Sequence, residues 1–495
     1  MRHDRALAAL RETGAKHPYN GLLVVGIRRT RTLVAQQGSG RAGISLVHRR
    51  LLSGGAWASG GRIAMVFTAL ATNALLARLL SPREVGLYFL AFSVAQLGSL
   101  MGSLGLEQAV VRFVAESVGL EQFKRARRAL AWIAVLGVLG ALGVGIAYSV
   151  SGQMVGGTLF HAPSLVAATG LIAGWMAVLA LQKILAGAFQ SFHDIRLSTV
   201  FGGLASGGML SASLGVLWLS RGHATLTTAL LLGVSSASIG LLIGGWLLHR
   251  KVTHLPAQGA KEHTKGHTIG FREIMRVAWP LTVTNLTLFV LTQAPLWILG
   301  AFRPPEEVAI YGAAARAVVL VAMPLTVANS VLPPLIAEMY PQGRTRELER
   351  ALRTTATVAG IPAFLALAVF VLFGGPILGL MFGDYYREGA LILALLSIAQ
   401  LVNVWSGAGS IALSYTRHQA TLMTLTIAGG LLTILAGLAV VGPYGVNGVA
   451  VAVAAGIVGY NLALWFVTKC KTGMFTHVSV GGFSDAIRNV MRKGR

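Results

Sequence analysis

Charge is scarce in this sequence. Asp, Glu, Lys and Arg make up 12% of 495 residues, about half the share of a soluble globular chain. Acid is scarcer still: 17 Asp+Glu stand against 41 Lys+Arg, a formal net charge of +24. Residues 129–182, 277–302, 354–383, 389–416 and 418–468 carry no charged side chain at all. Stretches of that length exclude a soluble enzyme and a nucleic-acid-binding domain. The one cysteine, Cys470, can form no intrachain disulfide, which excludes a disulfide scaffold. There is no Gly-x-x-x-x-Gly-Lys-Ser/Thr phosphate loop, so no primary pump is encoded. No metal site is expected either. His249, His254, His263 and His267 lack ligand spacing and carboxylate support, and read as part of a solvated linker.

What is present is hydrocarbon-compatible sequence, with 54% hydrophobic residues. About 20 apolar residues cross a bilayer as a helix, so the longest uncharged blocks hold two spans each. Twelve spans are expected, at about 53–79, 85–113, 129–151, 164–188, 199–219, 228–248, 277–301, 308–338, 354–375, 389–412, 420–441 and 447–468. Turn residues divide them: Ser81-Pro82, His161-Ala162-Pro163, Pro304-Pro305 and Gly442-Pro443-Tyr444-Gly445. The fold class is therefore all-α and polytopic. Two six-helix bundles, 53–248 and 277–468, are joined by a basic linker, 249–276, and flanked by basic tails, 1–52 and 469–495.

The loops sort by charge. Alternate loops and both tails hold 32 of the 41 Lys+Arg; the opposite loops hold only Arg83, Arg221, Arg303 and Arg387. The positive-inside rule places the rich set, and both termini, in the cytoplasm. Contact with anionic lipid headgroups accounts for much of the basic excess, and no nucleic-acid partner is implied. The Arg-rich N-terminal tail lacks the apolar core and cleavage site of a signal peptide and reads as a cytoplasmic segment.

The halves repeat. Pro82-Arg83-Glu84-Val85-Gly86-Leu87-Tyr88 aligns with Pro305-Glu306-Glu307-Val308-Ala309-Ile310-Tyr311, identical at four of seven positions and placed after the first span of each half. Ala115-Glu116 and Ala337-Glu338 follow at matching distance, each ahead of a basic stretch. Six spans per half make the repeats parallel, about an axis along the membrane normal, with a cleft between them. That is a transporter's architecture, not an enzyme's.

The segment Leu79-Leu80-Ser81-Pro82-Arg83-Glu84-Val85-Gly86-Leu87-Tyr88 resembles the first outer loop of the Wzx-like polysaccharide flippases, a branch of the multidrug/oligosaccharidyl-lipid/polysaccharide exporter superfamily. Gly105-Leu106-Glu107-Gln108-Ala109-Val110-Val111-Arg112-Phe113-Val114-Ala115-Glu116, Phe382-Gly383-Asp384-Tyr385-Tyr386 and Gly442-Pro443-Tyr444-Gly445-Val446-Asn447-Gly448 are similar to later landmarks of that branch. The resemblance covers about residues 50–470. It implies flipping of a lipid-diphosphate-linked oligosaccharide across a bacterial or archaeal cytoplasmic membrane, without a cofactor. The partners it implies are membrane lipids, a polysaccharide polymerase and other assembly proteins. The long basic N-terminal tail departs from the family pattern.

Charges inside spans mark the cleft. A cation at the bilayer centre costs roughly 2.5–3.5 kcal/mol on insertion scales. Arg62, Arg316, Lys183 and Arg112 are the candidates for binding a diphosphate, with Arg62 foremost because it is too deep to snorkel. Arg112 can instead pair with Glu116 one turn on. Asn285, Gln293, Gln96, Gln400 and Asn403 are candidates for sugar contacts. Glu107, the one acid well inside a span, is expected to serve in an ion pair or in ion coupling. Two other functions fit the architecture. A multidrug and toxin extrusion exporter would need carboxylates in the cleft to hold cations. A glycosyltransferase or polysaccharide ligase would need a larger outer domain than these short loops supply.

Two outcomes follow. With Cys470 replaced, a cysteine at Gln342 should react with a membrane-impermeant maleimide only after cells are opened, and one at Ser151 should react from outside. Labelling of residue 342 in intact cells would overturn the topology. Deletion of residues 1–45 should leave transport largely intact in a stably inserted protein, as read by polymer export. Complete loss would reveal a functional element in the tail.

Overall fold

The computed structural model describes residues 40–254, 270–329, 332–416 and 418–479, with side chains from Gly60 onward, Pro334 aside. Residues up to Ala56 form one compact unit and Trp57–Arg495 another; the contacts discussed below lie in the second. The tail up to residue 39, linker residues 255–269 (with His263 and His267) and residues 480–495 fall outside the described residues.

The described chain is helical, without strands. The first half holds α1 (Gly40–Leu79), α2 (Pro82–Ser103), α3 (Leu106–Gly119), α4 (Phe123–Gln153), α5 (Thr169–Ser191), α6 (Ala205–Ser220) and α7 (Leu226–Thr253). The second holds α8 (Phe271–Phe302), α9 (Pro305–Asn329), α10 (Leu332–Met339), α11 (Thr345–Phe382), α12 (Ala390–Ser406) and α13 (Gln419–Thr472). Eleven helical stretches are long and apolar enough to cross a bilayer. The last, α13, carries two of the twelve expected spans: its helical path breaks only at Gly445 (φ 55°, ψ −143°).

Several expected spans are not single unbroken helices. The second breaks after Ser103, where Leu104 (φ 49°) and Gly105 (φ 67°) adopt left-handed backbone. A Cβ at Gly105 would strike the Ala278 carbonyl of α8 and come within 2.8 Å of Thr282 Oγ1, so close packing of α8 dictates a residue without a side chain there. The eighth is described as α9 up to Asn329 and as α10 from Leu332; residues 330 and 331 fall outside the described residues. The fifth span is also interrupted: a π-turn, Val200–Leu204, with Gly203 at φ 148°, leads into α6.

The repeated motif has a structural cause. In the first half Glu84 closes a capping box with Ser81 at the start of α2. Its Oε1 also accepts from the Leu226 backbone N–H, 3.0 Å away, at the start of α7. In the second half Glu307 Oε2 accepts from the Val446 N–H at 3.2 Å, across the break in α13. Pro304 stands where the first half has Ser81, and Arg303 replaces the capping serine, bonding Glu307 through Nε at 2.9 Å. Each glutamate thus ties the start of the second helix to the last hairpin of its half.

The halves meet along α2 and α9. A Cβ at Gly86 would collide with the Pro305 carbonyl, and one at Gly312 with the Phe89 ring. Positions 89 and 312 are equivalent in the repeat, so the seam pairs a phenyl ring with a bare backbone. Trp297 of α8 donates to Ser93 Oγ of α2 at 2.9 Å. At the end of the bundle carrying the arginine-poor loops, the Arg78 guanidinium of α1 donates to the Leu380 and Met381 carbonyls of α11. One hydrophobic core there runs through both halves, from Leu79, Val85 and Phe89 to Val308, Phe382 and Val449. At the arginine-rich end the cores are separate. One joins α3, α4 and α5 to Ile274 and Ala278 of α8; the other joins α10 and α11 to Ala408 and Met474.

The C-terminal segment is not wholly a solvated tail. Val478 N–H donates to the Trp405 carbonyl at 3.0 Å, and Thr476 Oγ1 to the Ser406 carbonyl at 2.6 Å. Trp405 itself packs on Trp465 and His477, which makes it part of this end closure.

Glu84→Ala and Glu307→Ala should each lower stability by about 1–2 kcal/mol through loss of a cap or a charge-assisted bond. The double variant reports any coupling across the seam, because Gly86 abuts Pro305 two residues from each glutamate. Thermal melting of the detergent-purified protein checks this, with Glu306→Ala as the neutral neighbour. An unchanged midpoint in both glutamate variants would refute the tether.

Candidate functional site

A cavity of about 250 Å³ opens inside the first half. Helical spacing builds it. α2 presents Tyr88, Phe92 and Gln96 at four-residue intervals. α1 presents Ala69, Thr72 and Asn73, and α5 presents Trp175, Leu179, Gln182 and Lys183. The interrupted fifth span adds Gly202, Gly203 and Ser206, and α7 adds Gly233, where a Cβ would come within 2.9 Å of the Trp175 ring. One residue comes from the other half: Arg316 of α9.

Arg316 is half-buried. Its guanidinium carbon lies 3.5 Å from the centre of the Phe89 ring, and Nη1 donates to the Gly312 carbonyl at 3.0 Å. A guanidinium has five N–H donors. Among the described residues Arg316 spends one, so its remaining capacity faces the cavity. Cation–π contact contributes roughly 0.5–2 kcal/mol and offsets part of the burial cost. Lys183 is half-buried on the opposite wall. Glu107 is the carboxylate whose field it feels, and no ion pair within 4 Å joins them among the described residues. Glu107 sits on α3, where its backbone carbonyl abuts Gly187, one turn beyond Lys183 on α5. Gln182 is 4% exposed and acts as a cross-brace, donating to the Ala237 carbonyl at 3.0 Å and to Ser206 Oγ at 3.4 Å. Asn73 Nδ2 donates to the Ala69 carbonyl at 2.6 Å.

Three sequence candidates therefore converge: Gln96, Lys183 and Arg316. Arg62 is exposed and is not among the lining residues. It lies seven and eleven residues before Ala69 and Asn73, on the same face of α1, about 10 Å nearer the arginine-rich end for the first of these. Arg112 is exposed and rests 5.9 Å from the Phe113 ring. It does not pair with Glu116, which instead lies 3.9 Å from Arg125; the chain turns after Gly119 and brings Arg125 back alongside. Asn285 and Gln293 are half-buried on α8 and line none of the cavities described here. Gln400 lines a second cavity, and Asn403 Nδ2 donates to its Oε1 at 3.0 Å. Asn73, Tyr88, Trp175 and Gln182 were not singled out from the sequence. Asn73 and Gln182 carried the same signal as Gln96, an amide inside an apolar run.

The second cavity, of about 380 Å³, occupies the second half between α8, α9, α12 and the two arms of α13. Tyr311 and Ala315 line it at the positions equivalent to Tyr88 and Phe92. A third, apolar cavity lies between α2, α4, α5 and α8, around Val94, Val144, Met176 and Trp297. Among the described residues no group of three or more His, Cys, Asp or Glu could hold a metal ion.

A family model described as "Polysaccharide biosynthesis protein" matches residues 51–340. No curated protein sequence matches the chain. Among solved structures, an inward-facing multidrug resistance MATE family transporter of the MOP superfamily superposes with a TM-score of 0.66 at 15% identity, over 83% of this chain and 94% of that one. Lipid II flippase MurJ, in an inward closed conformation, gives 0.62 at 15%, over 83% and 87%. A MOP superfamily transporter from Pyrococcus furiosus, described as having a binding pocket of reverse polarity, gives 0.57 at 15%, over 86% and 95%. These likenesses establish the fold. With more than half its length matched by the family model, the chain belongs to the polysaccharide biosynthesis protein family.

Proposed function

We propose that this protein carries a lipid-diphosphate-linked oligosaccharide, a precursor of capsule, O-antigen or exopolysaccharide, from the inner to the outer leaflet of the cytoplasmic membrane. One observation carries the reading: the first-half cavity is lined by two cations, Lys183 and Arg316, and by no acid. In a low-dielectric surrounding an anionic headgroup is the ligand that relieves both charges. Arg316 offers its unspent N–H donors to phosphate oxygens, Lys183 a point charge from the facing wall, and Gln96 a neutral amide beside them. The hydrocarbon tail stays in the bilayer while diphosphate and sugar cross.

Alternating access follows from the cores. The shared core closes the arginine-poor end; at the arginine-rich end one core holds α8 on the first half and a distinct one gathers α10 and α11, and ligand enters between these two. By the positive-inside rule that open side faces the cytoplasm, where lipid-linked precursors are made in the resembled family. Arg62, exposed on the face of α1 that leads to Ala69 and Asn73, stands on the approach and attracts the diphosphate before it reaches Lys183 and Arg316. The rival reading, extrusion of cations, needs a carboxylate in the lining, and Glu107 is not among the lining residues.

Arg316→Met and Lys183→Met should each reduce export at least about ten-fold, the loss expected when a charge-assisted hydrogen bond worth 1.5–3 kcal/mol disappears. Arg316→Lys should recover less than half of that loss, because a lysine lacks the planar fork and stacks less well on Phe89. Arg62→Ala should be milder, slowing capture more than translocation. The readout is polymer export and accumulation of lipid-linked sugars in a deletion strain, with protein level checked by immunoblot. Wild-type export by both Met variants would remove the basis for the cationic cavity.

A further inference from the structure

The two cavities share an outline and differ in charge. Each is lined by the helices at equivalent places in its half, with Tyr88 and Tyr311 at matching positions. The lining of the second cavity includes no Asp, Glu, Lys, Arg or His. Its polar side chains are hydroxyls, from Thr292, Tyr311, Thr426, Thr433 and Tyr460, and the amide of Gln400. Resting on the function proposed above, we infer that this second cavity is the subsite for uncharged sugar residues of the same lipid-linked substrate.

Chemistry favours a sugar over the other ligands at membrane depth. A diphosphate finds no cation there. A hydrocarbon chain gains nothing from five hydroxyls and an amide, and the third cavity shows how an apolar groove is lined in this protein. A sugar ring has an apolar C–H face and a rim of hydroxyls that both donate and accept. Tyr311 and Tyr460 supply aromatic surface for the face, and threonine hydroxyls and an amide supply partners for the rim. Asn403 Nδ2 donates to Gln400 Oε1 at 3.0 Å, which leaves the Gln400 amide hydrogens to be given elsewhere. Thr292, Thr426 and Thr433 donate to carbonyls of their own helices, at Phe289, Leu422 and Gly429, and so present lone pairs that accept from a sugar hydroxyl. Tyr460 and Thr426 lie O to O 3.2 Å apart, which fixes the phenol. Gly429 and Gly456 keep the pocket from filling: a Cβ at Gly429 would lie 3.3 Å from the Tyr460 ring, and one at Gly456 would strike Thr433 Oγ1.

Geometry links this subsite to the diphosphate. Ala315 lines the second cavity and its neighbour Arg316 lines the first. A single helix, about 10 Å across, separates a phosphate held by Arg316 from the neutral pocket. The sugars attached to that phosphate have to be accommodated next to it, and the second cavity borders the same helix with the matching chemistry.

The test uses the full chain in lipid nanodiscs with two probes: the lipid-linked sugar pool extracted from a strain lacking this protein, and a polyprenyl diphosphate bearing no sugar. Binding of each is measured to the wild type and to Gln400→Leu, Thr433→Val and Lys183→Met. The sugar-bearing pool should bind the wild type at least about ten-fold more tightly than the bare diphosphate, the yield of one to two net hydrogen bonds. Gln400→Leu and Thr433→Val, which keep side-chain volume, should each erase most of that advantage and leave the bare diphosphate unaffected. Lys183→Met should weaken both probes. If the sugar confers no advantage, or both second-cavity variants bind the pool like the wild type, the sugar subsite is wrong while the cationic cavity stands. Equal weakening of both probes by Gln400→Leu and Thr433→Val would make the pocket a site for the lipid chain and also overturn the inference. If Lys183→Met weakens neither probe, the proposed function itself fails, independently of the second cavity.

Discussion

A phenyl ring lying against a residue that has no side chain holds this molecule together. Phe89 of α2 reaches the backbone of α9 because position 312 is glycine. That approach brings Arg316, one turn further along α9, over the ring face, 3.5 Å from its centre. Three consequences share this cause. The halves close on each other at the arginine-poor end. A cation from one half enters the cavity of the other. And α9 becomes a wall between two cavities, with Ala315 on one side and Arg316 on the other. A larger residue at position 312 would separate all three.

Duplication supplied the frame, and divergence of a few side chains supplied the asymmetry. Glu84 and Glu307 do the same work in both halves, tying the second helix to the final hairpin. The positions equivalent to each other at 93 and 316 do not. Ser93 accepts a hydrogen bond from Trp297 and anchors α8; Arg316 carries charge into the first-half cavity. Phe92 narrows the first cavity where Ala315 widens the second. Parallel repeats with different linings let one scaffold hold chemically distinct parts of a ligand, provided the backbone frame is kept constant.

The spans were legible because hydrocarbon leaves little choice: uncharged runs must be helices with every backbone group satisfied internally. The repeat was legible because its glutamates and prolines sit at caps, where residue type is dictated locally. The break at Leu104 was not. A leucine with positive φ carries no sequence signal, and its cause, the approach of α8 to Gly105, is a tertiary contact. The same division applies to the site. Lys183, Arg316 and Gln96 were visible as polar groups inside apolar spans, and the fold brings them together. Arg62 and Arg112 carried the same signal and do not line the cavity: Arg62 shares the face of Ala69 and Asn73 but lies about two turns away, and Arg112 is exposed on α3. The second cavity had almost no signature, since threonine and tyrosine are ordinary inside membrane helices and only packing gathers them.

No carboxylate–guanidinium pair bridges the two halves among the described residues; Arg303–Glu307 and Arg387–Asp384 each stay within one half. The links that do cross end on uncharged groups: Arg78 on carbonyls of α11, Trp297 on the Ser93 hydroxyl, and Arg316 on the Phe89 ring. Closure therefore rests on dispersion and shape, with these few contacts to dipoles and a ring. Within the acyl region, parting the seam exchanges contact with a neighbouring helix for contact with lipid chains of similar polarisability. Ionic strength has little purchase on such an equilibrium. Acyl-chain packing and bilayer thickness act on it directly, so the lipid around the protein belongs to the gate as much as the residues that form it.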